Sequence, residues 1–307
     1  MPEGRAPNVP DIARDAESLI ASLRESGYLA DTGLATAIML ALKLGRPLLL
    51  EGEAGVGKTE VARVLATILN TRLIRLQCYE GIDVHQALYE WDYARQLLHI
   101  RLAEATPDGV AEQVEDELFT ERFLIRRPLL AALDHAGGEP AVLLIDEIDR
   151  ADDEFEAFLL EFLSDFAVTV PELGTVRAER PPVVIITSNR TRDLHDALKR
   201  RCLYHWIDHP DYEREVAIVR ARIPGVPERL AREAAAAVQA LRRLELYKRP
   251  GVAETLDWVE ALVALGADHL EPTTAQNSLG AVLKYHEDQI KAAPQLAAIL
   301  EAAGDGR

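Results

Sequence analysis

Gly52-Glu53-Ala54-Gly55-Val56-Gly57-Lys58-Thr59 is the stretch on which the reading of the fold turns. It matches GxxxxGK[ST], and its setting matters as much as its letters. The apolar run Leu48-Leu49-Leu50 stands before it as a short strand, and Val61, Val64, Leu65, Ile68 and Leu69 follow at the spacing of a helix buried along one stripe. Strand, glycine-rich turn and helix together let successive backbone N–H groups curl around phosphate oxygens, with the helix N-terminus adding a favourable dipole. The expected phosphate-binding residues are therefore Gly52 to Glu60. Lys58 would meet the β- and γ-phosphates, and the Thr59 hydroxyl would hold Mg²⁺.

Further strands are expected at 72–77, 141–146, 183–188 and 202–207. The middle two are unbroken apolar runs, as suits strands covered on both faces in a parallel sheet. Helices are expected at 11–26 and 31–44, and those at about 117–136, 152–164 and 193–200 alternate with the strands in the rhythm of an α/β domain. Asn70 reads as the end of the helix that follows the glycine-rich turn. Residues 83–104, with Trp91 and Tyr93, read as a small inserted helix and hairpin, 105–116 as a polar acidic loop, and 166–178 as a hairpin around Pro171 and Gly174. Beyond Pro210 only helical patterns remain, at about 211–222, 226–246, 252–265 and 276–302. The expected organisation is a lead and helix over 1–26, an αβα nucleotide-binding domain with a five-stranded parallel sheet over 27–209, and a small all-helical lid over 210–307.

Val142-Leu143-Leu144-Ile145-Asp146-Glu147 is an apolar strand ending in two acids, a costly place for carboxylates unless a cation sits there. Asp146 is expected in the shell of Mg²⁺, and Glu147 is expected to orient and polarise an attacking water. Thr187-Ser188-Asn189 ends the next apolar strand, where the Asn189 amide can reach the γ-phosphate or that water, although Asn after a strand also suits a plain turn. Lys199-Arg200-Arg201 offers a cation at the domain edge, with Arg201 first and Arg200 second as a finger into a neighbouring subunit's site. The bland alternative is a basic last helical turn complementing the helix dipole. Arg150 can touch phosphate across an interface or pair with Asp149 or Asp153.

Composition narrows the partners. The chain has 307 residues and a formal net charge of -17, with 51 acidic against 34 basic residues and no basic run interleaved with aromatics. That balance argues against nucleic acid as the main partner. Cys78 and Cys202 lie far apart with no CxxC spacing, and the eight histidines show no metal-ligand spacing, so neither a zinc site nor a disulfide framework is expected. Residues 1–10 read as a disordered lead without the apolar core of a signal peptide, and no run approaches the roughly 20 apolar residues of a membrane span. A soluble, cytoplasmic protein is expected.

The order GEAGVGKT, LLIDEIDRAD, ITSN and ALKRRC before an all-helical tail resembles the AAA+ superfamily, and within it the MoxR family. The phrases RLQCYEGIDVHQALYEWDYARQLL, DEFEAFLLEFLSDFAVTVPELGTV and RPGVAETLDW are similar to CoxD-like members, over about residues 27–290. The resemblance implies ATP and Mg²⁺ as ligands, ring hexamers, a von Willebrand factor A domain partner, and a chaperone that matures a metalloenzyme such as a molybdenum-copper carbon monoxide dehydrogenase. A DNA-processing motor of the same superfamily and a nucleotide-gated scaffold with little turnover are the competing classes. One departure stands out. Many such lids carry an arginine at the start of the third lid helix, whereas this chain reads Gly251-Val252-Ala253-Glu254 with Arg249 upstream. Whether Arg249 substitutes, or the lid acts without it, stays open from the sequence.

Overall fold

The computed structural model describes residues 14–104, 117–134 and 139–305. The lead expected at 1–10 and the acidic loop expected at 105–116 lie outside them. The strands are β1 (Leu48–Glu51), β2 (Leu73–Gln77), β3 (Tyr89–Trp91), β4 (Leu124–Arg126), β5 (Val142–Asp146), β6 (Ala167–Val170), β7 (Gly174–Arg177), β8 (Val183–Ser188) and β9 (Leu203–Trp206). Five of them form the central sheet in the order β2-β5-β8-β1-β9. The pairs β2 with β5, β5 with β8 and β8 with β1 run parallel, with Gln77 opposite Asp146, Ile145 opposite Ile186, and Glu51 opposite Ser188. This register brings Glu51, Gln77, Asp146 and Ser188 to the carboxyl edge of the sheet, where ligands bind in open α/β folds. β1 and β5 are buried along their whole length, which is why their sequences are unbroken apolar runs.

Two compact units are present. One comprises Thr32–Glu51 and Ala62–His205 with the chain up to Leu19; the other comprises Ile20–Asp31, Gly52–Val61 and Trp206–Arg307. The first buries Leu143, Ile145, Val184 and Ile186 of the sheet against Leu129, Leu133, Phe155, Leu159 and Phe162 of its helices. Each such side chain contributes about 1.5–3 kcal/mol when fully buried. In the second unit, Leu230, Val238 and Leu241 close on Trp258, Leu262 and Leu296. Among the described residues, no helix is long and apolar enough to cross a membrane.

Two stretches depart from expectation. Where one helix is expected at 117–136, helical backbone at 117–118 gives way to a 3-10 turn at Glu121–Phe123 that leads into β4, and the next helix is Pro128–Leu133. Pro128 is the cause, because its ring bars the preceding residue from helical backbone and Arg127 is extended (φ -82, ψ 171). β4 then pairs antiparallel with β3, so the partner of that strand lies beyond 83–104, and Trp91 packs on Phe123 and Val170. The helix expected at 276–302 is likewise three pieces, Pro272–Asn277, Leu279–Val282 and His286–Asp305. Buried Ser278 marks the first break, accepting a 2.8 Å hydrogen bond from Trp258 Nε1. The segment Ala167–Arg177 is an antiparallel hairpin of β6 and β7.

Candidate active site

The glycine-rich loop leaves the end of β1 and runs into the helix Lys58–Ile68. Gly52 has no room for a side chain, since a Cβ there would lie 2.4 Å from the Ile207 carbonyl oxygen. Gly55 and Gly57 hold positive φ of 81 and 94, which lets consecutive amides turn toward one side. Lys58 is only 6% exposed, and its Nζ donates to the carbonyl oxygens of Gly52 (2.8 Å) and Glu53 (2.7 Å). A buried ammonium folded over a glycine loop at a helix N-terminus fits a phosphate ligand. Val56 is buried, and Gly57 lies beside the ring of buried Tyr28, whose phenol is pushed well above its ordinary range by desolvation. Glu60 pairs with Arg222 at 2.9 Å, and Glu53 faces His209 at 3.2 Å and Arg249 at 3.8 Å. Such half-exposed pairs contribute about 0–1 kcal/mol each.

At the carboxyl edge of the sheet, β5 ends in Asp146, 2% exposed, whose Oδ2 accepts from Arg75 Nε (3.0 Å) and a terminal Arg75 nitrogen (2.6 Å). Its Oδ1 accepts from the Thr187 hydroxyl at 2.6 Å. That same hydroxyl oxygen accepts the Glu147 N–H at 2.9 Å, so Thr187 ties both acids to β8. Glu147 adopts left-handed backbone (φ 56, ψ 51). One oxygen of its carboxylate takes the Asn189 amide (3.3 Å); the other takes the Gln77 amide (3.1 Å) and Arg150 Nε (3.0 Å). Asp149, also 2% exposed, accepts from the main-chain N–H of Asn189 (3.1 Å) and Thr191 (2.9 Å) and from the Thr191 hydroxyl (2.7 Å). The turn that carries Asn189 is therefore pinned by a buried carboxylate two residues beyond Glu147.

The structure thus gathers Asp146, Glu147, Thr187 and Asn189 at one sheet edge. Gln77, Arg75 and Asp149 belong to the same cluster but escape a reading by motif. Position was the available signal: Gln77 ends the strand next to β5, and Asp149 is the next acid after Asp146-Glu147. Arg150 pairs with Glu147 rather than with Asp149 or Asp153. Cys78, buried one residue after β2, has its thiol pushed up to about 12 by burial first and then by Asp146, Asp149 and Glu147.

Arg200 and Arg201 close the helix Asp196–Arg201, and both side chains are exposed. Neither guanidinium has a partner among the described residues. Their main chain is held instead: Arg46 donates to the carbonyl oxygens of Arg200 (2.8 Å), Arg201 (3.2 Å) and Cys202 (3.2 Å). These are the carbonyls a helix leaves without internal donors, so Arg46 fixes the end of the helix while leaving the two arginines pointing to solvent.

With this geometry in hand, comparison with known proteins decides the family. The profile described as AAA domain (dynein-related subfamily) matches residues 47–202, just over half of the chain. The chain belongs to this AAA family. Three solved structures of Thermotoga maritima RuvB mutants are similar to it at 16%, 16% and 15% identity, with TM-scores of 0.48, 0.47 and 0.44. They cover 96%, 95% and 96% of this chain and 86%, 85% and 86% of theirs. No curated protein matches the chain. Membership of the AAA family carries nucleotide binding and ATPase activity in general.

Proposed function

We propose that the chain is a Mg-ATP-hydrolysing AAA+ chaperone of the MoxR type, CoxD-like, that remodels a protein client during maturation of a metalloenzyme. The observation that carries the hydrolytic reading is the Glu147 carboxylate, held at the tip of a buried strand between the Asn189 and Gln77 amides. A carboxylate so aimed orients and polarises a water. The loop Gly52–Thr59 binds the phosphates through its amides and Lys58. Thr59 and Asp146 are the residues that would hold magnesium, which when bound would neutralise phosphate charge. Arg201, or Arg200, is exposed and unpaired among the described residues, as suits a group acting in a neighbouring copy of a homo-oligomeric ring. A hexamer, a von Willebrand factor A domain partner and a client of the molybdenum-copper dehydrogenase class are carried by the sequence phrases.

The test uses three variants. Lys58→Ala loses ATP binding; Glu147→Gln binds ATP but stalls; Arg201→Ala binds ATP without turnover and regains part of it when mixed with Lys58→Ala chains. Normal hydrolysis by Glu147→Gln removes the assigned role. The proteins held by Glu147→Gln in the presence of ATP report the client, and salt-dependent DNA binding in its place favours the DNA-motor class.

A further inference from the structure

Within the second compact unit, two glycines stand face to face. A Cβ on Gly251 would lie 2.7 Å from the Ala54 carbonyl oxygen and 2.8 Å from Gly55 Cα, and one on Gly55 would lie 3.2 Å from Gly251 Cα. Backbone meets backbone, with the Glu254 carboxylate beside both glycines, 2.7 Å from a Cβ on Gly55 and 2.9 Å from one on Gly251. The helix Val252–Ala264 begins at once, and the N–H groups of Val252 (2.9 Å) and Ala253 (3.2 Å) both donate to the Gly55 carbonyl. These are donors that a helix start cannot satisfy internally. Glu254 completes the cap, accepting from Gly251 N at 3.0 Å.

A buried ion pair sets where this helix start stands. Arg242 donates from Nε to the Pro250 carbonyl (2.7 Å) and grips both Glu215 oxygens (2.6 Å each). Thr255, in the second turn of the helix, donates its hydroxyl to the same carboxylate at 2.7 Å. The pair therefore spans three helices and holds the residue just before Gly251.

We infer that this main-chain contact couples the helix start to the glycine-rich loop by setting the direction of the Val56 amide. A peptide unit is planar and trans, so its C=O and the following N–H point opposite ways. Holding the Gly55 carbonyl against the helix start turns the Val56 N–H the other way, into the amide row of the loop. The lid thereby acts on phosphate affinity through backbone alone, with Glu215 and Arg242 as positioning residues. The inference rests on the loop binding phosphate, as proposed above.

Val252→Pro isolates the contact. Proline is favoured at the first helical position, and Gly251 (φ -82, ψ -174) already has the extended backbone that must precede it, so the helix start survives while one donor is lost. Val252→Ala trims the side chain and keeps the donor. Titrating the full-length proteins with Mg-ATP, Val252→Pro should raise Kd about three- to tenfold, the scale of one hydrogen bond, and Val252→Ala less than about twofold. In nucleotide-free protein, hydrogen exchange at the Val56 amide should quicken in Val252→Pro alone. Wild-type affinity in Val252→Pro, or an equal loss in Val252→Ala, overturns the inference. If Val252→Pro does not fold, Gly251→Ala set against Val252→Ala decides by the same comparison. A wild-type chain that binds no Mg-ATP overturns the ATPase reading and this inference together; wild-type binding with an indifferent Val252→Pro overturns the inference alone.

Discussion

Asp149→Asn separates the shape of the buried anchor from its charge. Asparagine keeps one acceptor oxygen and replaces the other with an NH₂. Placed at the Oδ2 position, that NH₂ faces the Thr191 N–H and forfeits the bonds of 2.9 and 2.7 Å; placed at Oδ1, it forfeits only the 3.1 Å bond from Asn189 N. The second arrangement is cheaper, so the loss falls on Asn189. A buried donor left without an acceptor costs about 1–3 kcal/mol, which is the expected drop in stability measured by urea unfolding. The functional cost follows from geometry. With its main chain released, Asn189 no longer holds its amide 3.3 Å from Glu147, and a misplacement of about 1 Å lowers turnover by up to about 100-fold. A coupled assay of phosphate release should show kcat down by about 10- to 100-fold with KM for ATP little changed, because the lost contact positions a group for hydrolysis rather than for binding. Wild-type kcat in a variant destabilised by that amount would refute the catalytic placement of Asn189, and unchanged stability would refute the anchor itself.

Three further outcomes are expected. Arg46→Met strips the donor from the carbonyls of Arg200, Arg201 and Cys202 and should cost about 1–3 kcal/mol in urea unfolding; the mixing assay should lose its rescue too, and full rescue would show that the helix end needs no such support. Gly52→Ala should abolish ATP binding and lower the thermal midpoint, since its Cβ would meet backbone at 2.4 Å; normal binding would mean that the loop is slack. Burial pushes both the Cys78 and Cys202 thiols up from 9.0 to about 12, against a lesser opposing pull from Arg46 at Cys202. The folded chain then holds protons that the unfolded chain releases, so this contribution to stability is intact below about 9 and declines as pH rises toward about 12. Urea midpoints at pH 7 and pH 10 check the slope, and native thiols that react at pH 8 as fast as unfolded ones would contradict it.

The sheet was legible because burial on both faces leaves a plain mark: Leu48–Leu50 and Val142–Ile145 admit no polar residue, and the chemistry-bearing residues sit where those runs stop. What escaped depends on neighbours that are remote in sequence. Gln77 carries no motif; it matters because β2 lies beside β5 with Gln77 in register with Asp146. Asp149 looks like one more solvated acid until its burial against the Asn189 turn is known. The helix expected at 117–136 failed for a local reason, since Leu130 keeps helical spacing with Phe123 while Pro128 forbids a continuous helix. The approach of Gly251 to Gly55 joins residues nearly two hundred positions apart, and no periodicity encodes it.

The left-handed backbone at Glu147 has an evolutionary corollary. Had β5 run on, residue 147 would project to the face opposite Asp146; the reversal of the chain keeps both acids at the one edge. For a side chain other than glycine or asparagine this conformation costs on the order of 1 kcal/mol. Residue choice at that position is pulled two ways, and drift toward greater thermal robustness would favour Gly or Asn there at the expense of the hydrolytic base. A descendant of this chain that lost the need for turnover should record the change first at residue 147.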